Sequence, residues 1–278
     1  MQVNIAKSAG FCFGVKRALD IAFKTSQDNM HVVMLGDIVH NEDVVKKVRS
    51  AGVKKIIKLM PTKTDTLIIR AHGSPLLKIL QAKKLGYRII DATCPMVKEI
   101  HRIASDMEKK GCSIVIIGDK KHDEVFGIAG QLKAKALIIG KGDKLPLDKI
   151  KRSGKLCIVV QSTQNIKDVL PIVEAIKKIN PNLCFFNTIC RPTRIKQAEI
   201  HRLPKENDAM IIIGSKTSAN TKRLYEISRS INKKTWWVNS KNDIKQGWFK
   251  NVKKIGVTAG ASTPEETIQK IVNFLRSL

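Results

Sequence analysis

The sequence has few aromatic residues, no cysteine pair separated by two residues, and no long apolar run. Aromatic side chains make up 5% of the 278 residues. No apolar run approaches the length of about twenty residues that a membrane-spanning helix needs. The absence of a Cys-x-x-Cys pair removes the usual support for zinc-finger and thioredoxin-like sites. The N-terminal residues lack a basic, an apolar and a small-residue stretch in series, so we expect no signal peptide and a cytoplasmic location.

Acidic residues are also scarce relative to basic ones. The chain has 51 lysines and arginines against 24 aspartates and glutamates, a formal net charge of +27. Such a surplus suits an anionic substrate, an acidic protein partner or nucleic acid. Nucleic acid is disfavoured, because the lysines are spread along helix faces and no RNA-binding signature or zinc-finger spacing is present. A solvated, lysine-rich surface explains the charge equally well.

An internal repeat is the most informative feature that the sequence does contain. Three cysteines are each followed, 28 residues later, by a histidine or serine that comes after an apolar run and a glycine. The pairs are Cys12 with His40, Cys94 with His122, and Cys190 with Ser218. Two positions further on stand Glu42, Glu124 and Asn220. The local sequences VVMLGDIVHNED, IVIIGDKKHDEV and MIIIGSKTSANT predict three copies of one unit, each delivering one cysteine.

Each copy alternates helix-like and strand-like segments, which predicts an α/β fold with small parallel sheets and helices on their faces. We expect three similar units at 1–95, 96–189 and 190–278, arranged around a pseudo-threefold axis. In the second copy, MVKEIHRIASDMEKKG has a helical apolar stripe, made of Val97, Ile100, Ile103 and Met107. For the last helix we predict a capping box of Thr263 and Glu266, with Pro264 at the first helical position.

Polar loops follow the apolar strands at two corresponding places in each copy. The second set reads RAHGSP at 70–75, VQSTQN at 160–165 and TAGASTP at 258–264. Ligands of parallel sheets bind at the carboxyl ends of the strands, where helix N-termini also favour phosphate. We therefore expect these loops to line one cavity that holds a phosphorylated ligand. The candidate donors to the anion are His40, His72, His122, Ser218, Asn220 and Ser262.

Cys12, Cys94 and Cys190 are candidate metal ligands, because each stands beside a helix start, in GFCFGV, DATCPM and NTICRP. Three thiolates at a common point suit a zinc ion with one open position. They also suit a four-iron, four-sulfur cluster that leaves one iron open to substrate. All-sulfur ligation favours the cluster. The other cysteines lie in apolar runs and are interpreted as core residues: Cys112, Cys157 and Cys184.

Glu124 is the best candidate for acid–base chemistry. A carboxyl group that is desolvated in a closed cavity has a raised pKa, as a proton donor requires. The alternative is a solvated first-turn glutamate that supports the helix dipole. We give that interpretation to Asp119, Asp123 and Glu42.

In order and spacing, the motifs resemble the 4-hydroxy-3-methylbut-2-enyl diphosphate reductase family. They are GFCFGV, VHNEDVV, AHGSP, DATCPMV, HDEVFGIAGQ, NTIC and GASTPE, from about residue 8 to 266. The resemblance implies a three-domain cloverleaf around a central, oxygen-sensitive iron–sulfur cluster. It also implies a two-electron, two-proton reductive dehydroxylation of an allylic alcohol, which gives isopentenyl and dimethylallyl diphosphates.

Carried over residue by residue, the resemblance makes Cys12, Cys94 and Cys190 the ligands of a 4Fe-4S cluster with one open iron. It implies that the six donors named above hold the diphosphate. Glu124 would feed protons to the leaving hydroxyl, with a hydroxyl of Ser162 or Thr163 completing the relay. The implied electron donor is a flavodoxin or ferredoxin, which as acidic proteins would be attracted by the basic surface.

The chain departs from the family pattern at a few positions. Ala219 follows Ser218 where the family usually has a second serine, and Ser162 stands where it usually has threonine. Arg191 and Pro192 after the third cysteine are also unusual. We predict weakened substrate affinity rather than lost activity. The rival hypotheses are a zinc-dependent hydrolase or lyase on the same cysteines, and a non-catalytic nucleic-acid-binding or iron-sensing protein.

Overall fold

The structure is a computed structural model that describes all residues from Met1 to Leu278. The chain divides into two compact units. The terminal unit consists of Met1–Lys16, Val39–Lys47 and Arg191–Leu278. The central unit consists of Arg17–Ile38 and Val48–Cys190. The finer division at 95/96 and 189/190 stays a prediction.

Strands and helices alternate along most of the chain. The strands are β1 (Gln2–Ile5), β2 (Val32–Leu35), β3 (Val53–Ile56), β4 (Thr66–Ile69), β5 (Arg88–Asp91), β6 (Ser113–Ile117), β7 (Leu137–Ile139), β8 (Leu156–Val160), β9 (Leu183–Phe185), β10 (Ala209–Ile213), β11 (Thr235–Val238) and β12 (Lys254–Ala259). The α-helices are α1 (Phe13–Asp28), α2 (Glu42–Ser50), α3 (Leu76–Lys84), α4 (Pro95–Lys109), α5 (Asp123–Ala129), α6 (Leu147–Arg152), α7 (Ile166–Ile179), α8 (Arg191–Glu206), α9 (Ala219–Ile231) and α10 (Glu265–Ser277). Two 3₁₀ helices lie at Lys241–Asp243 and Gln246–Phe249.

The strands form three parallel sheets of four strands each. The terminal unit contains the sheet β1–β12–β10–β11, and the central unit contains β3–β2–β4–β5 and β7–β6–β8–β9. The α/β class with three small parallel sheets is therefore confirmed. None of the helices combines the length and the apolar character that spanning a membrane would require.

Strand β10 shows why the inner strands read as continuous apolar runs. Ile211 and Ile213 pack with residues of α10 on one face, while Met210 and Ile212 pack with residues of α8 and α9 on the other. All four side chains are fully buried. A parallel sheet that is covered by helices on both faces has no polar face, so the alternation typical of half-exposed strands disappears.

Helix α4 agrees with its predicted apolar stripe, and α10 does not agree with its predicted cap. Val97 and Ile100 are buried, and Ile100 belongs to an apolar cluster that also contains Cys112 and Cys157. At α10 the capping box is wrong: Pro264 is the N-cap residue and no side chain caps the helix. The reason is that the Thr263 hydroxyl is buried and donates instead to the Ile213 carbonyl, at 3.2 Å.

Candidate active site

The three candidate ligand cysteines are held by the same backbone contact. Each peptide N–H donates to a carbonyl of a second polar loop: Cys12 to Ala261 at 3.1 Å, Cys94 to Ala71 at 3.0 Å, and Cys190 to Ser162 at 3.1 Å. All three cysteines are half-buried. Each immediately precedes a helix, α1, α4 or α8. The repeated sequence motif therefore corresponds to a repeated local geometry.

The second polar loops also fold as the same turn in each copy. The closing hydrogen bonds run from Gly73 N–H to Arg70, from Gln164 N–H to Gln161, and from Thr263 N–H to Gly260, at 3.0–3.1 Å. The carbonyls that hold the cysteines belong to the residue after each turn start. The next position in each copy carries a candidate site residue: His72, Thr163 and Ser262.

The glycine that ends each first strand allows the two polar loops of a copy to approach closely. A Cβ atom added at Gly118 would lie 2.9 Å from Gln161 and 2.8 Å from Val125. One added at Gly214, whose φ is +144°, would lie 2.7 Å from Thr221 Oγ1. Only glycine fits at such contacts.

The three thiols are of the ligand type that soft metals prefer. None of the six cysteines forms a disulfide. The structure places Cys12 in the terminal unit, and Cys94 and Cys190 in the central unit. The donor set is the one that iron–sulfur clusters or zinc accept.

Glu124, the second residue of α5, is buried rather than solvated, with 2% of its surface exposed. Its Oε1 accepts the Ser162 N–H at 2.6 Å, and its Oε2 accepts the Ser162 hydroxyl at 2.8 Å. Burial raises the pKa of Glu124; the two hydrogen bonds from Ser162 act in the opposite direction, and Asp119 raises it further. A raised pKa favours the neutral carboxyl, which can donate a proton.

Ser162 connects this carboxyl to one of the thiols. Its side chain and N–H hold Glu124, while its carbonyl accepts the N–H of Cys190. The Thr163 hydroxyl instead accepts a hydrogen bond from the Gln161 side chain, at 3.0 Å. Of the two hydroxyls predicted for the relay, Ser162 is the one in contact with Glu124.

Two of the candidate histidines lie side by side in the central unit. The rings of His72 and His122 meet edge to face, with centroids 5.4 Å apart. His122 caps α5, because its Nδ1 accepts the Glu124 N–H at 3.2 Å. An accepting Nδ1 in a neutral ring leaves the proton on Nε2, so His122 presents Nε2–H as a donor.

The terminal unit holds the other polar candidates. Ser218 caps α9 by accepting the Thr221 N–H at 3.3 Å, and the Ser262 hydroxyl donates to the His40 carbonyl at 3.1 Å. Asn220 is 4% exposed, and neither its Nδ2 nor its Oδ1 has a hydrogen-bond partner. An unsatisfied buried amide costs about 1–3 kcal/mol. A bound polar ligand would remove that cost.

Sequence reasoning missed contacts made by two carboxylates. Asp123, interpreted as a solvated residue, is half-buried and pairs with Arg70 Nη1 at 2.6 Å. Glu42 is exposed, but its Oε1 accepts the Ser215 hydroxyl at 2.7 Å. Both partners are distant in sequence, so no local pattern signals them.

Lys196 of α8 was also missed, although it lies beside a candidate ligand. It is 2% exposed. Burial lowers the pKa of Lys196 to about 8, against the opposing influence of Cys12 and Glu199. A buried lysine needs several acceptors, and sequence alone does not show where they are.

Comparison with known proteins identifies the family. The family model described as LytB protein matches residues 3–276, nearly the whole chain. The chain belongs to the LytB family.

Proteins with a named activity align with this chain over nearly their whole length. It is 35% identical over 278 residues to 4-hydroxy-3-methylbut-2-enyl diphosphate reductase of Geotalea daltonii, covering 100% of this chain and 98% of that protein. It is 37% identical over 281 residues to the protein of the same name from Clostridioides difficile, covering 100% of both chains.

Solved structures of similar fold agree with the sequence comparison. One is (E)-4-hydroxy-3-methyl-but-2-enyl diphosphate reductase, described as the terminal enzyme of the non-mevalonate pathway, with a TM-score of 0.74 and 36% identity over 100% of both chains. Another is the E-1-hydroxy-2-methyl-but-2-enyl-4-diphosphate reductase from Plasmodium falciparum. It has a TM-score of 0.89 and 32% identity, and covers 99% of this chain and 87% of that one.

Proposed function

We propose that this LytB-family chain is a 4-hydroxy-3-methylbut-2-enyl diphosphate reductase that works in the cytoplasm. It converts the (E)-allylic alcohol to isopentenyl diphosphate and dimethylallyl diphosphate. Two electrons and two protons are added, one C–O bond breaks, and the hydroxyl leaves as water. The full-length similarity to proteins of that name supports the proposal. The observation that carries it is the connection from the buried Glu124 carboxyl through Ser162 to the loop of Cys190.

Cys12, Cys94 and Cys190 hold a 4Fe-4S cluster in this proposal, with one iron lacking a protein ligand. When bound, the cluster supplies electrons one at a time and a Lewis-acidic position for the substrate hydroxyl. The support is the donor set: three half-buried thiols, each before a helix and each fixed by an identical backbone contact. This contact fixes the peptide backbone at each cysteine.

Glu124 stores the proton that the leaving hydroxyl needs. In the neutral carboxyl the Oε2–H donates to Ser162 Oγ, and the Ser162 hydroxyl proton is then available to another acceptor. In the carboxylate the same contact runs the other way, with Ser162 donating to Oε2. A 2.8 Å contact that works in both directions is a short relay. Its position next to the Cys190 loop supports delivery to the reacting oxygen.

The diphosphate is held by His40, His72, His122, Ser218, Asn220 and Ser262. The partnerless amide of Asn220 is the main support, since a phosphate oxygen would satisfy its Nδ2. Ser218 and His122 stand at helix N-termini, where an anion is favoured. The Nε2–H of His122 adds a donor.

Electrons come from an acidic flavodoxin or ferredoxin. The net charge of +27 would steer such a carrier toward the surface and raise the association rate in a salt-dependent way.

Iron, acid-labile sulfide and the visible spectrum of anaerobically purified protein test the proposal. The variants are Cys12→Ser, Cys94→Ser and Cys190→Ser, with Cys184→Ser as the matched control, because Cys184 is half-buried in an apolar cluster instead. We expect about four irons and four sulfides per chain, brown colour, loss in each of the three variants and retention in the control. Turnover to both diphosphate products should follow cluster content. Zinc without sulfide, or intact cysteines without metal, would overturn the redox function.

A further inference from the structure

A carboxylate of α8, that of Glu199, accepts hydrogen bonds from the loop that precedes Cys12. Glu199 Oε1 accepts the Lys7 N–H at 3.0 Å, and Oε2 accepts the Ser8 N–H at 3.0 Å. The Ser8 hydroxyl also donates to Oε2. Three donors of two consecutive residues therefore converge on one carboxylate.

An ammonium group of α8, that of Lys196, donates hydrogen bonds to carbonyls of the same loop. Lys196 Nζ donates to the carbonyls of Gly10 at 3.0 Å and Ala259 at 3.3 Å, and to that of Ser8. An ammonium has three N–H donors, so all of them are used. Because the side chain is buried, removing it would leave three carbonyls without this donor.

The position of α8 relates these contacts to two of the candidate ligand cysteines. Lys196 and Glu199 are three residues apart, so they lie on one helix face. The helix begins directly after Cys190. Gly10 is two residues before Cys12, and the Lys196 Nζ lies 3.0 Å from the Gly10 carbonyl oxygen. Helix α8 thus starts directly after Cys190 and forms hydrogen bonds with the loop that precedes Cys12.

We propose that Lys196 and Glu199 are positioning residues: they clamp the Lys7–Gly10 loop, so that Cys12 is held ready to ligate the cluster. The charge of Lys196 also raises the reduction potential of that cluster. The inference rests on the proposed function. Reduction adds negative charge, which a nearby cation stabilises more strongly in a buried, low-dielectric site than at a water-exposed one. A lysine that only fills space would not change the potential.

Amide hydrogen exchange of the full-length, anaerobically purified protein tests the clamp. Glu199→Ala is compared with Glu206→Ala, which removes an exposed carboxylate of the same helix that pairs with Arg202. We expect exchange at the Lys7 and Ser8 amides to rise at least about tenfold in Glu199→Ala, since hydrogen bonds to a charged group are lost, and to stay unchanged in the control. Equal exchange in both variants would overturn the clamp.

A redox titration followed by the visible spectrum tests the role of the charge. Lys196→Met is compared with Lys196→Arg, which keeps the charge, and with Lys205→Met on an exposed part of α8. We expect a more negative potential and faster iron loss to a chelator for Lys196→Met only. Where that variant does not fold, Lys196→Gln removes the charge and keeps a donor. An unchanged potential would overturn the electrostatic part. A wild-type chain without iron would refute the proposed function, while the exchange result would still decide the clamp.

Discussion

Replacing Glu124 by glutamine removes the acidic proton of the side chain but keeps its hydrogen bonds to Ser162. The amide of the Glu124→Gln variant can make the same contacts as the neutral carboxyl. Its Oε1 accepts the Ser162 N–H and its Nε2 donates to Ser162 Oγ, where the carboxyl now makes bonds of 2.6 and 2.8 Å. Since both hydrogen bonds survive, we expect the free energy of unfolding to change by less than about 1 kcal/mol at a pH where the Glu124 carboxyl is neutral.

The expected effect on catalysis is much larger. A positioned proton donor contributes roughly 10²–10⁴-fold to a rate, so kcat should fall by about that factor while iron content stays at the wild-type level. The assay is anaerobic turnover with a chemical reductant, with both products quantified. A kcat within about threefold of wild type, at equal cluster content, would refute proton delivery by Glu124.

The raised pKa of Glu124 fixes the sign of the pH dependence. The neutral carboxyl is the donor, so kcat should fall as pH rises through the raised value. Glu124→Gln should lack this alkaline limb. Stability has the same sign: relative to the glutamine variant, the wild type is most stable below the ordinary carboxyl pKa and loses that contribution as pH rises through the raised one. Thermal unfolding of both proteins across pH checks this.

Other perturbations have definite expected outcomes. In Ala219→Ser, a restored hydroxyl at the first turn of α9 should lower KM by about tenfold or more; an unchanged KM in steady-state kinetics would show that Ala219 does not weaken binding. Gly118→Ala should destabilise the protein by about 1–3 kcal/mol in denaturant unfolding, because its Cβ would lie 2.8 Å from Val125. Gly154→Ala, with nothing within 4 Å, is the control. Raising the ionic strength should lower kcat/KM with an acidic carrier but not with a small uncharged reductant.

The inner strands of each sheet could be predicted from the sequence, and the outer ones could not. Strand β10 is apolar throughout because helices cover both of its faces. Strand β3 has two exposed lysines, Lys54 and Lys55, among its four residues. Short edge strands of this kind lack both a long apolar run and a clear alternation. Their pairing comes from the neighbouring strand rather than from their own pattern.

Contacts between residues far apart in the chain could not be predicted from the sequence either. Strand β1 pairs with β12 in the register Gln2 to Lys254, and Glu199 holds Ser8 across 191 positions. Nothing local encodes either pairing. By contrast, the shared loop geometry around the cysteines was predictable, because three copies of one pattern require the same backbone solution.

The anchoring of each cysteine through a peptide carbonyl leaves the side chain of the anchoring residue free to differ. That residue is alanine at positions 71 and 261 and serine at position 162. Divergence among the three copies can therefore add chemistry at this point without disturbing the thiol. Only one copy carries a hydroxyl there, and that hydroxyl is the one that holds an acid. In the proposed mechanism the shared backbone geometry therefore allows one copy to deliver protons, while each of the three copies keeps its cysteine.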